Sequence, residues 1–312
     1  MLSLPESGLS KSVKQHNVDL NVLCDWVEAS AVFDDDHLSK SDVAKALLQQ
    51  EVYEKQDFAM EIVDQAWSVV SSRIKYLASP LGIEVSKNRI ARKVKWETFP
   101  AYGFCLTLSC VSLYPKWVKD HWGAASLRGE LFEELAQESL SKALAGWTVR
   151  RVGWSPGNPV KLREAIASII SDIKEVAGSE LDLHVDKHAN ELGLDLLAYY
   201  SYGDAHASIP VLLVQCASGE NWQSKRHTPD LGLWNKIVSF NSNPVRGFAM
   251  PFAYADAREF RKDTMSVNGV FVDRNRLLGA FHRTSSEVSD ALNKKLVAWV
   301  TQVIATVPKD DQ

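Results

Sequence analysis

The chain has 312 residues, of which 46% are hydrophobic and 24% charged, a balance typical of a folded globular protein. Its formal net charge of -4 argues against a protein that is basic over its whole surface and coats nucleic acid, although a local basic cleft is compatible with that charge. The four cysteines form no CxxC pair and no zinc-finger spacing, so reduced thiols in a cytoplasmic protein are expected. The polar first residues and the lack of an apolar run of roughly 20 residues predict neither a signal peptide nor a membrane association.

The first 119 residues are predicted to form a mainly helical region. Between residues 39 and 77, apolar side chains recur at steps of three and four without Gly or Pro, which predicts one or two amphipathic helices with Ser41 as an N-cap. A basic run over residues 87–95 could contact phosphates, but a solvated amphipathic face is the commoner explanation. The apolar run 101–114 fits a buried helix or a buried strand, because periodicity cannot separate the two in a short run.

From about residue 120 the pattern changes to helices interspersed with strands, which predicts an α/β domain with a mixed sheet over residues 120–312. The predicted elements are helix 127–145, strand 147–152, helix 160–176, strands 192–200 and 209–217, a short helix near 231–240, strands near 247–254 and 269–274, and a helix from 287 to about 306.

Two polar residues, Asp195 and Gln215, lie in the strands 192–200 and 209–217. A turn centred on Ala205 would pair these strands so that the numbers of opposed residues sum to 410. Asp195 would then face Gln215, because 195 and 215 sum to 410. The two Cβ atoms would then be about 4.5–5.5 Å apart. A carboxylate and an amide oxygen suit a hard divalent cation such as Mg²⁺. Spacing alone favours the alternative that Asp195 caps a strand end and Gln215 satisfies backbone groups, and a slip of one residue would separate the pair.

Glu133 is the unusual glutamate of the helix 127–145. At about 100° per residue it lies on the apolar face with Leu140, whereas the other glutamates of this helix lie on a polar face. A carboxylate on an apolar face needs a partner, a metal or a raised pKa. The ordinary explanation is an ion pair with Arg128 or Arg151.

The turn after Gln215 returns polar residues towards the two strands. Gly219 is expected to adopt a conformation that other residues resist. Lys225 could swing back towards Asp195 and position or deprotonate a water molecule, with a solvated lysine at a helix start as the ordinary alternative. Trp222 is expected to pack under the turn as core.

Other chemistries are less favoured by the residues. Cys216 would need activation by His206 or His227 to act as a nucleophile, and strand alternation instead predicts a buried, inert thiol. Ser218 lacks the GxSxG context of hydrolases, and the histidines form no HExxH-type set, so a zinc site is not expected.

Four short motifs follow one another along the chain: Gly129-Glu130-Leu131-Phe132-Glu133 in a helix, then Gly146-Trp147-Thr148-Val149, Gly193-Leu194-Asp195 and Val214-Gln215. Their order, beginning with a GxxFE-like helix, resembles that of the PD-(D/E)XK, or restriction-endonuclease-like, nuclease superfamily. The run 125–240 looks closest to the Mrr-like and type I restriction-subunit branches, in which glutamine can replace the second acid. The segment QCASGENW also resembles nuclease-like proteins associated with bacterial anti-phage defence.

The resemblance implies a restriction-endonuclease-like αβββαβ core that holds one or two divalent cations, Mg²⁺ or in its place Mn²⁺, and hydrolyses phosphodiester bonds. By position, Asp195 matches the metal-binding aspartate, Gln215 the D/E position, and Glu133 the helix glutamate that helps to hold metal or water. The motif lysine is missing, because Ala217 stands two residues after Gln215, so Lys225 is the candidate for a migrated lysine.

The sequence thus predicts a Mg²⁺-dependent endonuclease acting on double-stranded DNA, with a helical region over 1–119 and a nuclease domain over 120–312. The helical region is expected to dock a protein partner or sense a trigger, and a homo-oligomer is a further expectation. The alternative is a nuclease fold that has lost catalysis, as Ala217 suggests, and serves in nucleic-acid binding or complex assembly. A third reading, a purely structural α/β protein, predicts no stabilisation by divalent ions.

Overall fold

The computed structural model describes residues 1–9, 18–34, 37–77, 82–123, 125–152, 162–184, 192–283 and 288–310. By its packing the chain forms two compact units. The helical unit consists of Met1–Gly123, Pro251–Asp256 and Arg274–Gln312, and the sheet unit consists of Ala124–Met250 and Ala257–Asp273. The sequence-based division assigned all of residues 120–312 to one domain, whereas the structure groups the last two helices with the N-terminal residues.

The helical unit contains seven α-helices, a short 3₁₀ helix (Trp96–Thr98) and one small sheet within the described ranges. The helices are α1 (Leu20–Phe33), α2 (Lys40–Gln49), α3 (Gln56–Leu77), α4 (Pro100–Leu113), α5 (Pro115–His121), α11 (Arg274–Arg283) and α12 (Asp290–Ile304). The strands are β1 (His37–Ser39), β2 (Ile83–Val85) and β3 (Arg89–Arg92), antiparallel in the order β1-β3-β2. Strand β3 lies within the basic run 87–95.

Helix α2 begins with a capping box. The Asp42 N–H donates to the Ser39 hydroxyl at 3.2 Å, and the Ser39 N–H donates to the Asp42 carboxylate at 3.0 Å. These bonds satisfy N–H groups that the start of a helix leaves without intrahelical partners. The N-cap predicted at Ser41 is therefore wrong, because Ser41 lies inside the first turn. One or two amphipathic helices were predicted over residues 39–77, and the structure has two, α2 and α3.

The ambiguous apolar run 101–114 forms helix α4. Pro100 stands in its first turn, where a missing N–H costs no hydrogen bond. Nearly every side chain of α4 is buried, and helices α1 and α12 both pack against it. A helix that is apolar all round needs such cover on several sides, which the local sequence could not reveal.

Two arginines and two carboxylates form a buried ionic network in the helical unit. Arg73 Nη1 donates to Asp25 at 2.9 Å and to Glu28 at 2.8 Å. Arg274 Nη2 donates to the same carboxylates at 2.8 and 3.2 Å. The Tyr102 hydroxyl adds a bond of 2.6 Å to Glu28. Charges removed from water require such partners, so each member of the network depends on the others.

The sheet unit carries a five-stranded mixed sheet in the order β10-β9-β7-β6-β4. Its strands are β4 (Thr148–Arg151), β6 (Leu196–Tyr199), β7 (Val211–Cys216), β9 (Val245–Ala249) and β10 (Val270–Val272). The strands β4, β6 and β7 are antiparallel, and β7, β9 and β10 are parallel. The predicted mixed α/β architecture is therefore confirmed.

The helices of the sheet unit are α6 (Ala125–Ala143), α7 (Leu162–Ile173), α8 (Leu181–His184), α9 (Leu231–Ile237) and α10 (Ala257–Val267). The short strands β5 (Val176–Ala177) and β8 (Val238–Ser239) pair with each other. Helix α6 packs against β4 and β7. None of the helices in the described parts of the chain combines the length and the apolarity that crossing a membrane requires.

The β6–β7 hairpin has the predicted register. Leu196 lies opposite Val214 and Leu197 lies opposite Leu213, so each pair sums to 410. Because side chains alternate along a strand, Leu213 and Gln215 share one face of β7. On that face Leu197 and Leu213 join a buried cluster with residues of α7 and α9. This core holds the hairpin in the register that the site requires.

Candidate functional site

Asp195 and Gln215 lie side by side at one end of the sheet. The Asp195 N–H donates to the Val214 carbonyl at 2.9 Å, so pairing with β7 continues one residue beyond β6. Gln215 Nε2 donates to Asp195 Oδ2. Only 4% of Asp195 and 7% of Gln215 is exposed. The predicted meeting of these two side chains is therefore confirmed.

The position of this pair in the sheet favours ligand binding. In the register of the parallel strands, Cys216 at the end of β7 lies opposite Ala249 at the end of β9, and Ala249 lies opposite Val272 at the end of β10. The pair thus stands at the carboxyl ends of the parallel strands. Open α/β sheets bind their ligands at this edge.

The Asp195 carboxylate is held by the chain around it. The Cys216 N–H donates to the same Oδ2 atom at 2.5 Å. Gln215 Nε2 also donates to the Cys216 carbonyl at 3.0 Å. Charge-assisted hydrogen bonds of this kind fix the orientation of a buried carboxylate.

Thr228 and Gly193 enclose the other end of the Gln215 side chain. The Thr228 hydroxyl lies 3.2 Å from Gln215 Oε1 and 2.6 Å from the Lys225 carbonyl. Gly193 has a φ of +69°, and a Cβ there would lie 2.8 Å from Thr228 Cβ and 3.3 Å from Gln215 Oε1. Glycine is therefore needed for both backbone conformation and space. Thr228 was not predicted as a site residue, and the one signal for it in the sequence is the proline that follows it, which marks a turn.

Lys225 is brought to the site by its backbone. It ends a 3₁₀ helix, Glu220–Lys225, and its side chain is exposed. The Lys225 carbonyl accepts the Thr228 N–H at 2.9 Å as well as the Thr228 hydroxyl. Ala217, which replaces the motif lysine, is buried and its N–H donates to the Ala249 carbonyl at 2.9 Å. The contacts of Lys225 with Thr228 are thus made by its backbone carbonyl, while its side chain is exposed.

Glu133 lies half-buried on α6, near the end of β7. Its carboxylate and that of Asp195 both raise the pKa of the Cys216 thiol, after burial as the largest cause. Arg151, one predicted partner of Glu133, lies instead 3.5 Å from Glu134 and, more distantly, beside Glu130. Burial lowers the pKa of Arg128, the other predicted partner, to about 10. The electrostatic effect on Cys216 connects Glu133 with the residue next to Gln215.

The turn after β7 differs from the prediction at Gly219. Its φ is −92°, which any residue can adopt, so the expected special conformation is wrong. A Cβ at Gly219 would lie 3.1 Å from Asn221 Oδ1, and space is therefore the tighter restriction. Trp222 is half-buried, with its ring centroid 6.2 Å from those of Phe248 and Phe271. This contact agrees with the packing role expected for Trp222.

Cys216 is unsuited to nucleophilic catalysis. Burial, with a contribution from the nearby carboxylates, raises its pKa well above the usual value, so the reactive thiolate is disfavoured. His206 and His227 are exposed. Of the other histidines considered for a zinc site, His188 lies outside the described residues. Among the residues that are described, no three His, Cys, Asp or Glu side chains form a group that could hold a metal ion. The Gln215 amide oxygen faces Thr228, and it is the amide nitrogen that lies against Asp195.

No protein-family model matches the chain, and comparisons with curated proteins and with solved structures find no match either.

Proposed function

We propose that the sheet unit is a nuclease that requires a divalent cation and hydrolyses phosphodiester bonds of double-stranded DNA, in defence of a bacterial cell against phage. The observation that carries the proposal is the buried contact between Asp195 and Gln215 at the carboxyl ends of the parallel strands. Burying a carboxylate costs several kcal/mol unless its bonds compensate. A charged side chain in such a place is a candidate for function rather than for stability.

The succession of elements supports the same proposal. Helix α6, the strands β4, β6 and β7, helix α9 and strand β9 occur in the order αβββαβ. The segment with α7, β5 and α8 is inserted after the first of these strands, and the short strand β8 lies between α9 and β9. This is the succession that the resemblance to restriction-endonuclease-like nucleases implies.

Asp195 offers a carboxylate oxygen, a ligand that a hard cation such as Mg²⁺ or Mn²⁺ accepts. Gln215 would add an amide oxygen only by turning its side chain, because its Nε2 faces Asp195 and its Oε1 faces Thr228. Glu133 would add negative charge close to the end of β7. The cation would supply stabilisation of the charge that develops on the phosphate group. Lys225, exposed at the end of the 3₁₀ helix, would orient a phosphate oxygen or a water molecule.

A second candidate is a nuclease fold without catalysis that acts in nucleic-acid binding or complex assembly. The observation favouring it is the buried Ala217, which leaves no ammonium at the motif position. On this alternative Asp195 would still bind a cation, but Lys225 would be an ordinary surface lysine.

Cleavage of supercoiled and linear DNA with Mg²⁺ or Mn²⁺ distinguishes the two candidates. We expect cleavage by the wild type, none by Asp195→Asn, and a loss of about 100-fold or more in Lys225→Ala if this lysine acts on the reacting groups. Lys236→Ala, which changes another exposed lysine of the sheet unit, is the matched control and should cleave normally. Cation binding without cleavage would favour the second candidate, and neither binding nor cleavage would refute both.

A further inference from the structure

Basic residues are concentrated in the β2–β3 hairpin of the helical unit. Residues 82–95, the basic hairpin, contain five lysines or arginines and one acidic residue, whereas the whole chain has 35 basic and 39 acidic residues. The basic residues are Lys87, Arg89, Arg92, Lys93 and Lys95. Like charges that lie close together repel one another and oppose the compact state. Such an excess in a chain of negative net charge therefore indicates a surface that binds an anionic partner.

Strand pairing places two of these cations on one face of the small sheet. Because side chains alternate along a strand, Arg89, Ala91 and Lys93 project away from the side on which Ile90 is buried. The Lys93 N–H donates to the Gly82 carbonyl at 2.6 Å, so pairing between the two arms of the hairpin extends to Lys93. The small side chain of Ala91 between the two cations leaves space for a phosphate group to approach the sheet. The exposed basic residues of the hairpin are Lys87, Arg89, Lys93 and Lys95.

The tip of the basic hairpin is fixed by hydrogen bonds to the helices beside it. The indole N–H of Trp67 on α3 donates to the Ser86 carbonyl at 3.2 Å. The N–H of Lys40 on α2 donates to the Asn88 carbonyl at 3.0 Å. Lys87, between these two anchored residues, is thus carried on an ordered turn. A surface that is ordered before binding loses less conformational entropy when a ligand binds to it.

The ion pair between Lys93 and Glu84 can be exchanged for a phosphate contact at little cost. Lys93 Nζ lies 2.9 Å from the Glu84 carboxylate, and the two side chains are 60% and 62% exposed. Exposed ion pairs of this kind contribute only about 0–1 kcal/mol to stability. A phosphate oxygen can therefore replace Glu84 as the partner of Lys93. Glu84 is also a negative charge that weakens the attraction of this face for an anion.

A nucleic-acid backbone fits these features better than an anionic membrane does. The backbone presents a regular row of phosphates, with about one negative charge per 3.4 Å along each strand, so it can engage several separated cations at once. Binding at a membrane surface relies in addition on a set of apolar side chains that enter the lipid. Within residues 82–95, all of which are described, Val94 is the one large apolar side chain that is exposed.

We propose that the basic hairpin binds the phosphate backbone of double-stranded DNA. The phosphate contacts are assigned to the four exposed cations Lys87, Arg89, Lys93 and Lys95. Arg92 instead supports the sheet, because its Nη1 donates to the Val32 carbonyl at 2.8 Å. The inference goes beyond the proposed function and does not rest on it, since this binding requires neither a divalent cation nor Asp195.

Fluorescence anisotropy of a short, labelled DNA duplex in the presence of EDTA tests the proposal, because EDTA removes divalent cations and prevents cleavage. The test variant combines Lys87→Gln, Arg89→Gln and Lys95→Gln. We expect it to raise the Kd by about 10-fold or more and to reduce the slope of log K against log salt concentration by about 2–3, because fewer counterions are released. The matched control combines Lys45→Gln, Lys116→Gln and Lys119→Gln, which removes three exposed charges elsewhere in the helical unit and should leave the slope unchanged.

A variant that gains affinity tests the same face even if the triple variant were to fold poorly. Glu84→Gln removes the acidic residue of the hairpin and releases Lys93 from its ion pair. We expect it to bind DNA about 3-fold more tightly than the wild type, because the face becomes more positive. Glu54→Gln makes the same change of net charge at another exposed position of the helical unit and should bind like the wild type.

The outcomes separate the hairpin from the proposed cation site. Absence of DNA binding by the wild type, or equal weakening in the two triple variants, overturns the proposal. Hairpin-dependent binding to vesicles of phosphatidylcholine and phosphatidylserine, without binding to DNA, overturns it as well and assigns the face to a membrane. Asp195→Asn should bind DNA like the wild type in EDTA, so failure of the cation site leaves the hairpin proposal standing.

Discussion

Replacing Gly193 with alanine is expected to destabilise the sheet unit strongly. The φ of +69° at this residue costs an L-residue about 1–2 kcal/mol. The new Cβ would also lie 2.8 Å from Thr228 Cβ, so one of the two segments must shift. Relief of such overpacking costs about 1–3 kcal/mol. The two contributions together predict a loss of about 2–5 kcal/mol in the free energy of unfolding.

Hydrogen exchange of the amides in β6 and β7 measures this loss, because it reports the opening of the sheet unit itself. Gly203→Ala is the matched control, since Gly203 has a φ of +83° but a Cβ there would meet no atom within 4 Å. It should lose about 1–2 kcal/mol from backbone strain alone. Equal losses in the two variants would refute the close approach of Thr228 to Gly193, and with it the described enclosure of Gln215.

Three further predictions concern residues outside the Asp195–Gln215 pair, and each is measured by urea unfolding. Glu175 is buried and accepts three hydrogen bonds, from the Ser208 and Asn241 N–H groups and the Asn241 side chain. Glu175→Ala should therefore lower the free energy of unfolding by about 3 kcal/mol or more. A loss no larger than that of Asp204→Ala, an exposed control, would contradict this. Arg73→Met should cost about 3–5 kcal/mol because it leaves two buried carboxylates with Arg274 as the one remaining cation of the described network, whereas Lys93→Ala, in an exposed pair, should change little. Burial raises the pKa of Cys105 from 9.0 to about 12, so its contribution to stability is present below pH 9 and is lost as the pH rises towards 12. The free energy of unfolding should fall over this range, and Cys105→Ala should make the fall less steep; an unchanged slope would contradict the raised pKa.

Local pattern predicted much of the fold. The helix expected at 127–145 is Ala125–Ala143, and the strands expected at 192–200 and 209–217 are Leu196–Tyr199 and Val211–Cys216. Periodicity identifies the helix because it buries one face, whereas the strand Val211–Cys216 is buried at every residue and was marked by a short apolar run between turn residues. It failed to decide the run 101–114, because a helix buried on all sides has no periodic face.

The contact between Asp195 and Gln215 was predictable for a related reason. The register of a hairpin depends on the length of its turn and on the pattern of apolar residues, and both can be read from one short stretch of sequence. The structure confirms this register. The ion pairs of Arg151 were not predictable in the same way, since several glutamates of α6 lie within reach of it and packing selects Glu134 and, more weakly, Glu130.

The sequence by itself determined the α/β class, the hairpin and the pairing of an acid with an amide, because these depend on residues close together in the chain. Tertiary structure alone decided that Thr228 and Gly193 enclose the Gln215 amide, and which of its atoms faces Asp195. It also decided that α11 and α12 pack with the N-terminal residues. Contacts between distant segments depend on how whole elements share a core, and no local pattern records that choice.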